Sequence, residues 1–400
     1  MNRILIPMIG SNRLGQVPIG LVAILMTLFI GACAAPGAVE PLATSRDVTQ
    51  ISDKEARLWN EANDLDEAIR KADSIYENDE LEDYLQQVID RLYPEFKGAV
   101  RIRVLKSPVL NAFALPNGSI YINVGLLARL DNEAQLATVL AHETAHFVDK
   151  HSLRQRRQVK SASAIATGVA MAGSAVSTVA AGLIGISSMY GYSRELERDA
   201  DRLGYDRLQT VGYDVAESVR VFEHLAAEAK ALDEKQPVFF SSHPSLNARI
   251  NSFNSLIQAS DTRPGRVGEA ELLQHSAQAR IATLRADASM HRYKSLLLAL
   301  EADAATSRYP ARYRYYYLGE GYRLRDEAED NAHAETAYRN AIKADPNFAP
   351  PYRALGLQLL KHGDTTEVRR LLKKYLDLAP QASDREYVTY FLHQLDTGGE

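Results

Sequence analysis

The chain has 400 residues, of which 46% are hydrophobic and 24% are charged, and its formal net charge is -5 at pH 7. This length allows two domains of ordinary size, each able to bury a hydrophobic core of its own. The composition is typical of a soluble globular protein, and the negative net charge argues against a general nucleic-acid binder. We therefore expect no nucleic acid among its partners.

The N-terminus has the pattern of an export signal. Arg3 and Arg13 precede an uncharged run over residues 14–33, whose centre at residues 20–30 is strongly apolar, as in secretory signal peptides. Cys33 is the only cysteine, so it has no disulfide partner within the chain. The alternatives are a cleaved signal with an incidental cysteine, an uncleaved membrane anchor, and a free thiol that pairs with another molecule.

The run ends at residues 30–33 in Ile-Gly-Ala-Cys, which resembles the bacterial lipobox. The resemblance implies a lipoprotein signal peptide over residues 1–32 and a mature protein that is bound to the membrane through a lipid anchor at Cys33. Ala34 stands where a retention signal would carry aspartate, which implies the periplasmic face of the outer membrane; the alternative is a soluble periplasmic protein. Residues 33–47 are rich in Ala, Pro and Gly and are predicted to form a tether.

The elements that follow the tether begin with helices. Residues 48–92 are charged, with apolar positions at mixed three- and four-residue spacing, which predicts covering helices. Strands are predicted at residues 100–105 and 119–124, so a small sheet precedes the next helix. Asp131 or Asn132 is the expected N-cap of that helix. Its buried side is predicted to carry Leu136, Val139, Leu140 and Phe147.

Residues 161–193 contain no charged side chain and are rich in Ala, Gly and Ser. The stretch is long enough to span a bilayer. Small and hydroxyl residues keep it only weakly hydrophobic, and this favours a buried or hairpin-forming helical segment. The alternative is a segment that touches the membrane or gates a cleft.

Two histidines with metal-ligand spacing lie on the helix after the sheet. His142 and His146 are four residues apart, so their rings project from nearly the same helical face and can share one metal ion. Zinc suits neutral imidazole, and a catalytic zinc needs three protein ligands and an open position for water. Glu143 can accept the proton of that water as it attacks a peptide carbonyl. The pattern therefore predicts a zinc peptidase, provided that a third ligand exists.

The third ligand distinguishes the families of zinc peptidase. A metzincin would carry glycine and histidine where this chain has Asp149 and Ser152, so that class is excluded. A gluzincin takes a glutamate from a later helix, and residues 193–201, Ser-Arg-Glu-Leu-Glu-Arg-Asp-Ala-Asp, supply one. Glu197 and Asp201 are one helical turn apart, so Asp201 can accept a hydrogen bond from a ligand histidine when Glu197 binds zinc.

The two motifs together resemble the HtpX and CAAX-prenyl-protease superfamily of zinc metallopeptidases, whose second motif reads Ser-Arg-x-x-Glu-x-x-Ala-Asp. The resemblance covers the middle of the chain and implies a gluzincin domain over residues 48–260. It implies one Zn²⁺ per chain, held by His142, His146 and Glu197, with Asp201 supporting a ligand. Glu195 is the alternative ligand, although it breaks the match.

Two further segments share this resemblance. His243 precedes Pro244 and an arginine, as in relatives in which the histidine binds the zinc as a fourth ligand and holds the enzyme inactive. A histidine there could instead donate a hydrogen bond to the developing oxyanion, or be incidental. Residues 111–116 resemble the strand beside the active-site cleft, where an extended substrate could pair. His151 lies five residues after His146, which turns it away from the metal face of a continuous helix, so we interpret it as structural.

The C-terminal part has a repeat pattern. Pro346 and Pro380 are 34 residues apart, the tetratricopeptide period, and each closes a unit that contains Leu-Gly. Two helix pairs are expected within a repeat domain over residues 270–400. The predicted fold class is α+β and mostly helical: a gluzincin domain with a small sheet, followed by an α-helical tetratricopeptide-like domain. The tyrosines of residues 308–325 are expected to be mainly repeat core; the alternative is a peptide-binding concave face.

This combination of export signal, gluzincin motifs and repeats resembles periplasmic proteases that survey outer-membrane protein assembly. The expected function is hydrolysis of misfolded or misassembled outer-membrane proteins, with these polypeptides and their assembly machinery as partners. The alternative is a chaperone or scaffold that acts through the repeats. An integral-membrane prenyl protease would need several long apolar spans, and the sequence has only the signal and one weak candidate.

Overall fold

The computed structural model describes residues 39–44, 51–159, 191–232, 246–260, 263–302, 305–360 and 365–396. The predicted signal peptide, Cys33, His243 and residues 161–190 lie outside these ranges. Across the described ranges the chain is mostly helical, with one three-stranded sheet. No helix within them has both the length and the apolar character needed to cross a membrane.

The first described helices are α1 (Asp53–Lys71) and α2 (Asp79–Leu92). Each begins at a polar N-cap: Ser52 accepts a hydrogen bond from Glu55 N, and Asn78 accepts one from Leu81 N at 3.0 Å. Such caps satisfy backbone N–H groups that have no partner within the helix. The prediction of helices within residues 48–92 is confirmed.

The sheet consists of β1 (Arg101–Leu105), β2 (Ala112–Ala114) and β3 (Ser119–Asn123) in the order β1-β3-β2. β1 pairs with β3 in parallel, with Arg101 opposite Ser119, and β2 pairs with β3 antiparallel, with Phe113 opposite Tyr121. Both predicted strands are therefore confirmed. β2 comes from residues 111–116 and lies at one edge of the sheet.

A short helix, α3 (Val124–Leu127), leads from β3 to the central helix, α4 (Glu133–Val148), and α5 (His151–Val159) follows. Asn132, one of the two predicted N-caps, is the N-cap of α4 and accepts a hydrogen bond from Gln135 N at 2.9 Å. Every residue of α4 except Val148 is buried. A helix buried on all sides is a core element, and its polar side chains must therefore be satisfied within the protein.

Two helices pack on α4, α6 (Arg194–Thr210) and α7 (Glu217–Ala231), and α8 (Leu246–Ala259) packs on both of them. They contribute the buried rings of Tyr205, Phe222 and Phe253 to the same core as α2, the sheet and α4. Leu42, within the predicted tether, also joins this core, and its N–H donates to Val148 O at 2.8 Å. The chain is therefore docked on the end of α4 at Leu42.

The next helix, α9 (Glu269–Ser289), lies within the predicted repeat region yet packs into the core of the first domain through Leu272 and Ala279. Arg280 is fully buried and donates hydrogen bonds to the carbonyls of Ala128 and Leu130, at 2.8 and 2.6 Å. Those carbonyls lie in the connection between α3 and α4. Thus α9 supports the start of the central helix.

The C-terminal helices are α10 (Tyr293–Glu301), α11 (Ala305–Arg308), α12 (Ala311–Arg325), α13 (Asp330–Ala344), α14 (Pro350–Leu359), α15 (Thr365–Leu378) and α16 (Arg385–Asp396). The helix pairs α12–α13 and α14–α15 correspond to the two predicted units. The glycine of each Leu-Gly pair lies against the second helix of its own unit. An added Cβ on Gly319 would lie 2.5 Å from Tyr338, and one on Gly356 would lie 2.7 Å from Leu372, so a side chain at either position would displace its neighbour. This shared close approach agrees with a repeat, and the tetratricopeptide class remains a prediction.

Candidate metal centre

The start of α4 is fixed by a buried carboxylate. Glu133 accepts hydrogen bonds from Tyr84 and Tyr213 hydroxyls, at 2.9 and 2.7 Å, and from Arg91 and Arg266, at 2.7 and 2.9 Å. Burial raises the pKa of Glu133, but these hydrogen bonds outweigh burial and hold the pKa below its ordinary value. A carboxylate in the first turn also interacts favourably with the positive end of the helix dipole. The network therefore fixes the helix that carries the histidine motif.

The two histidines of the motif converge as their spacing predicts. His142 Nε2 lies 3.0 Å from His146 Nε2, and both rings are fully buried on one face of α4. The ring centroids are 4.6 Å apart and the rings are nearly perpendicular. Two nitrogen atoms are thus aimed at one point inside the domain.

Glu197 reaches the same point from α6. Its carboxylate oxygens each lie 3.5 Å from a ligand nitrogen, one from His142 Nε2 and the other from His146 Nε2. Gly204 permits this approach, because a Cβ there would lie only 3.3 Å from the backbone nitrogen of His142. The alternative ligand Glu195 is 69% exposed and pairs with Arg198, so its side chain lies away from the site.

Asp201 supports His142 from the next turn of α6. Its Oδ1 lies 3.0 Å from His142 Nδ1, the two atoms between which the sequence predicts a hydrogen bond. The same oxygen accepts two hydrogen bonds from Arg249 of α8, at 2.7 and 3.0 Å, and all three side chains are buried. A proton on Nδ1 of His142 faces this carboxylate and leaves a lone pair on Nε2 for a metal.

The electrostatics of the site favour a cation. Burial and the charge of Arg249 lower the pKa of His142, but hydrogen bonds with Asp201 and Glu197 outweigh them and raise it to about 9. The two carboxylates therefore stabilise positive charge at the position where the histidine nitrogens converge. A divalent metal ion supplies such charge without protonating a ligand.

The donor set fits zinc. Ligand atoms of His142, His146 and Glu197 all lie within 4.8 Å of one another, and all three residues are buried. Two imidazole nitrogens with one carboxylate oxygen are the protein ligands of one class of catalytic zinc site, which leaves the fourth position open. Glu143 follows His142 directly on α4 and is also buried. The predicted motif residues are thus brought together.

Sequence reasoning missed several neighbours of the metal ligands. Tyr192 stacks on His146, with ring centroids 3.9 Å apart, and its hydroxyl lies 3.0 Å from Ser152 Oγ. His151, interpreted from the sequence as structural, lies 2.8 Å from His146. The expectation that five helical residues turn His151 away from His146 is wrong because α4 ends at Val148, so the two histidines do not lie on one continuous helix. The five-residue spacing between His146 and His151 was the only feature of the sequence that could have indicated their contact.

A histidine pair on a buried helix with a glutamate from a second helix defines the gluzincin class of zinc metallopeptidases. Residues 76–257 match the model described as Peptidase family M48. This match agrees with the zinc-metallopeptidase resemblance of the sequence motifs. Peptidases of that family use zinc, and His142, His146 and Glu197 are placed to bind one metal ion.

Relatives with assigned names agree with this classification. One is the mitochondrial metalloendopeptidase OMA1 of Schizosaccharomyces pombe, 31% identical over 37% of this chain and 44% of its own length. A putative beta-barrel assembly-enhancing protease of Vibrio cholerae is 31% identical over 45% of this chain and 40% of its own. The beta-barrel assembly-enhancing protease of Escherichia coli is 27% identical over 42% and 36%. The chain therefore spans less than half the length of each of these relatives.

Proposed function

We propose that this protein is a periplasmic zinc endopeptidase that hydrolyses peptide bonds of misfolded or misassembled outer-membrane proteins. The observation that carries the proposal is the convergence of His142, His146 and Glu197 in one buried site, with Glu143 beside them on the same helix. The chemistry of this site is that of peptide hydrolysis, and the substrate class rests on the export signal and on the relatives.

The residues of the site have distinct roles in the proposed reaction. Bound zinc lowers the pKa of water and polarises a carbonyl. Glu143 accepts the proton released when water attacks the substrate carbonyl and can then pass it to the leaving amine. Asp201 fixes the tautomer of His142 and is itself held by Arg249. These contacts hold one ligand ring in place.

The edge of the sheet is the proposed place for the substrate backbone. β2 pairs with β3 on one side and packs on α4, the helix that carries the histidines. An extended polypeptide can add to a sheet edge through main-chain hydrogen bonds, which do not depend on its sequence. A protease for many misfolded chains requires such sequence tolerance.

The cellular role is proposed from the sequence and from the relatives together. Export and lipidation at Cys33 would place the enzyme on the periplasmic face of the outer membrane, with a soluble periplasmic enzyme as the alternative. Two of the relatives named above are described as beta-barrel assembly-enhancing proteases. Outer-membrane proteins and their assembly machinery are accordingly the proposed partners.

The central test is the substitution Glu143→Gln. Removal of a general base is expected to lower casein cleavage by about 10²- to 10⁴-fold, with zinc content and circular dichroism unchanged. Glu195→Gln is the matched control, because Glu195 is exposed near the start of α6, and it should cleave casein at the normal rate. A folded, zinc-loaded Glu143→Gln protein with normal cleavage would refute the assignment.

A second function is favoured by the helix pairs α12–α13 and α14–α15, whose packing resembles a protein-binding repeat. In this alternative the chain is a chaperone or scaffold for outer-membrane protein assembly. The same variant separates the two functions in cells that lack the native gene. Complete loss of the effect on outer-membrane protein levels supports the enzyme, and full retention supports the scaffold.

A further inference from the structure

His146 has a second buried contact through the other nitrogen of its ring. Its Nδ1 lies 2.8 Å from Nδ1 of His151, which is fully buried. His151 Nε2 lies 2.8 Å from Asp149 Oδ2, and Arg154 holds that carboxylate through contacts of 2.6 and 3.0 Å. The four side chains form a continuous polar chain that ends at a metal ligand.

We infer that His151 is a positioning residue, which fixes the tautomer and the orientation of His146 for zinc binding. A neutral imidazole carries one proton, and a ligand histidine must present an unprotonated nitrogen to the metal. His146 Nε2 faces Glu197 and His142, so the proton of His146 belongs on Nδ1.

The remaining protons follow from this choice. His146 Nδ1–H can donate only if His151 Nδ1 is unprotonated, so the proton of His151 lies on Nε2. From there it donates to Asp149 Oδ2. Arg154 neutralises Asp149 and fixes its position. Only one arrangement of neutral rings satisfies all three contacts, and it leaves Nε2 of His146 available for zinc.

The backbone between α4 and α5 brings His151 back toward His146. Lys150 has a φ of 51°, in the left-handed region that lysine rarely adopts. This conformation is strained for a residue with a Cβ, and the ammonium of Lys150 is held by Glu55 at 2.9 Å. A strained residue that persists directly before a buried polar contact points to a functional use of that contact.

The two ligand histidines are thus supported in parallel ways. His142 Nδ1 lies directly against Asp201, which Arg249 holds, whereas His146 reaches its carboxylate–arginine pair through one additional imidazole. Partners of this kind are typically worth about 10- to 100-fold in metal affinity. The support of His146 should therefore be measurable as zinc affinity.

The same residues also raise the question of a second metal ion. Ligand atoms of Asp149, His151 and Asp199 lie within 4.8 Å of one another. However, the guanidinium of Arg154 lies against Asp149 and repels a cation there, and both nitrogens of His151 are already engaged. We therefore assign the cluster to positioning and expect one zinc per chain.

The inference rests on the proposed zinc site. Its test measures zinc affinity rather than proteolysis, so a protein without peptidase activity can still support or overturn the role of His151. All variants carry Glu143→Gln to prevent self-digestion. His151→Phe removes the acceptor but keeps a ring, and His151→Asn restores an acceptor near the position of Nδ1. His275→Phe is the matched control, because His275 stacks on Tyr84, with ring centroids 4.2 Å apart, outside the metal site.

The zinc dissociation constant of each variant is measured by competition with a chelator, with circular dichroism as the check on folding. We expect His151→Phe to weaken zinc binding by about 10- to 100-fold, His151→Asn to recover most of the loss, and His275→Phe to bind like the parent. Parental zinc affinity in His151→Phe would overturn the inference, as would equal weakness in His151→Asn or a second bound zinc.

A direct measurement covers the case in which His151→Phe does not fold. Nitrogen-15 NMR of the zinc-loaded Glu143→Gln protein distinguishes the two tautomers of each neutral histidine ring. We expect His151 to carry its proton on Nε2 and His146 to carry its proton on Nδ1. A proton on Nδ1 of His151 would contradict the proposed chain of hydrogen bonds.

Discussion

The ion pair between Arg249 and Asp201 allows a quantitative prediction. Both side chains are 2% exposed, and the guanidinium also lies over the Phe222 ring at 4.1 Å. Arg249→Met keeps much of the apolar stem but leaves the Asp201 carboxylate buried without its cation. Breaking one side of a buried pair costs about 3–5 kcal/mol, so we expect a loss of that size in the free energy of unfolding.

Urea unfolding of metal-free protein in the Glu143→Gln background measures this loss without the contribution of zinc. Arg198→Met is the matched control, because that side chain is 67% exposed in a surface pair, and its cost should stay below about 1 kcal/mol. In the double variant Asp201→Asn/Arg249→Met the buried charge is gone, so the loss should be smaller than the sum of the single losses. A loss near that of the control, or strict additivity, would refute the reasoning.

Three further predictions concern other parts of the chain. Glu133→Gln should lower the free energy of unfolding by on the order of 2 kcal/mol near neutral pH. Because the pKa of Glu133 is depressed in the folded protein, this difference between variant and native protein should be present above about pH 4.3 and disappear as pH falls through the folded pKa. Urea unfolding across this pH range measures it. Gly319→Ala should cost about 1–3 kcal/mol by overpacking against the Tyr338 ring. Gly321→Ala should lower the melting temperature less, because its nearest neighbour is the flexible end of Leu297 at 2.9 Å, with Leu296 Cβ at 3.4 Å. His243→Ala should raise basal casein cleavage if His243 blocks the zinc, and lower cleavage with zinc retained would support an oxyanion role instead.

The site residues that the sequence predicts are those whose chemistry depends on short spacing. His142 and His146 share a helical face, and Glu197 and Asp201 are one turn apart, so helical periodicity alone brings each pair together. Choosing Glu197 over Glu195 required the family resemblance, and the structure agrees because only Glu197 is buried at the site. The convergence of the two helices is a tertiary contact, which the local pattern does not contain.

The neighbours that the sequence does not reveal depend on breaks and long-range packing. Lys150 interrupts the helix with a left-handed backbone, so a rule for continuous helices misplaces His151. Tyr192 reaches His146 from just before α6, and the interpretation of residues 161–193 gave it no role in the site. Arg249 lies 48 residues from Asp201 along the chain, and nothing in its local sequence indicates an ion pair with that residue.

The position of α9 limits how the two parts of this protein can be recombined. A chain cut after residue 260 would lose Leu272 and Ala279 from the core and the Arg280 donors that hold the carbonyls ahead of α4. The C-terminal helices, which are predicted to form repeats, therefore extend from a helix that the metal-site core itself requires. Exchange of these helices for those of another protein preserves the metal site only when the junction falls after Ser289, where α9 ends.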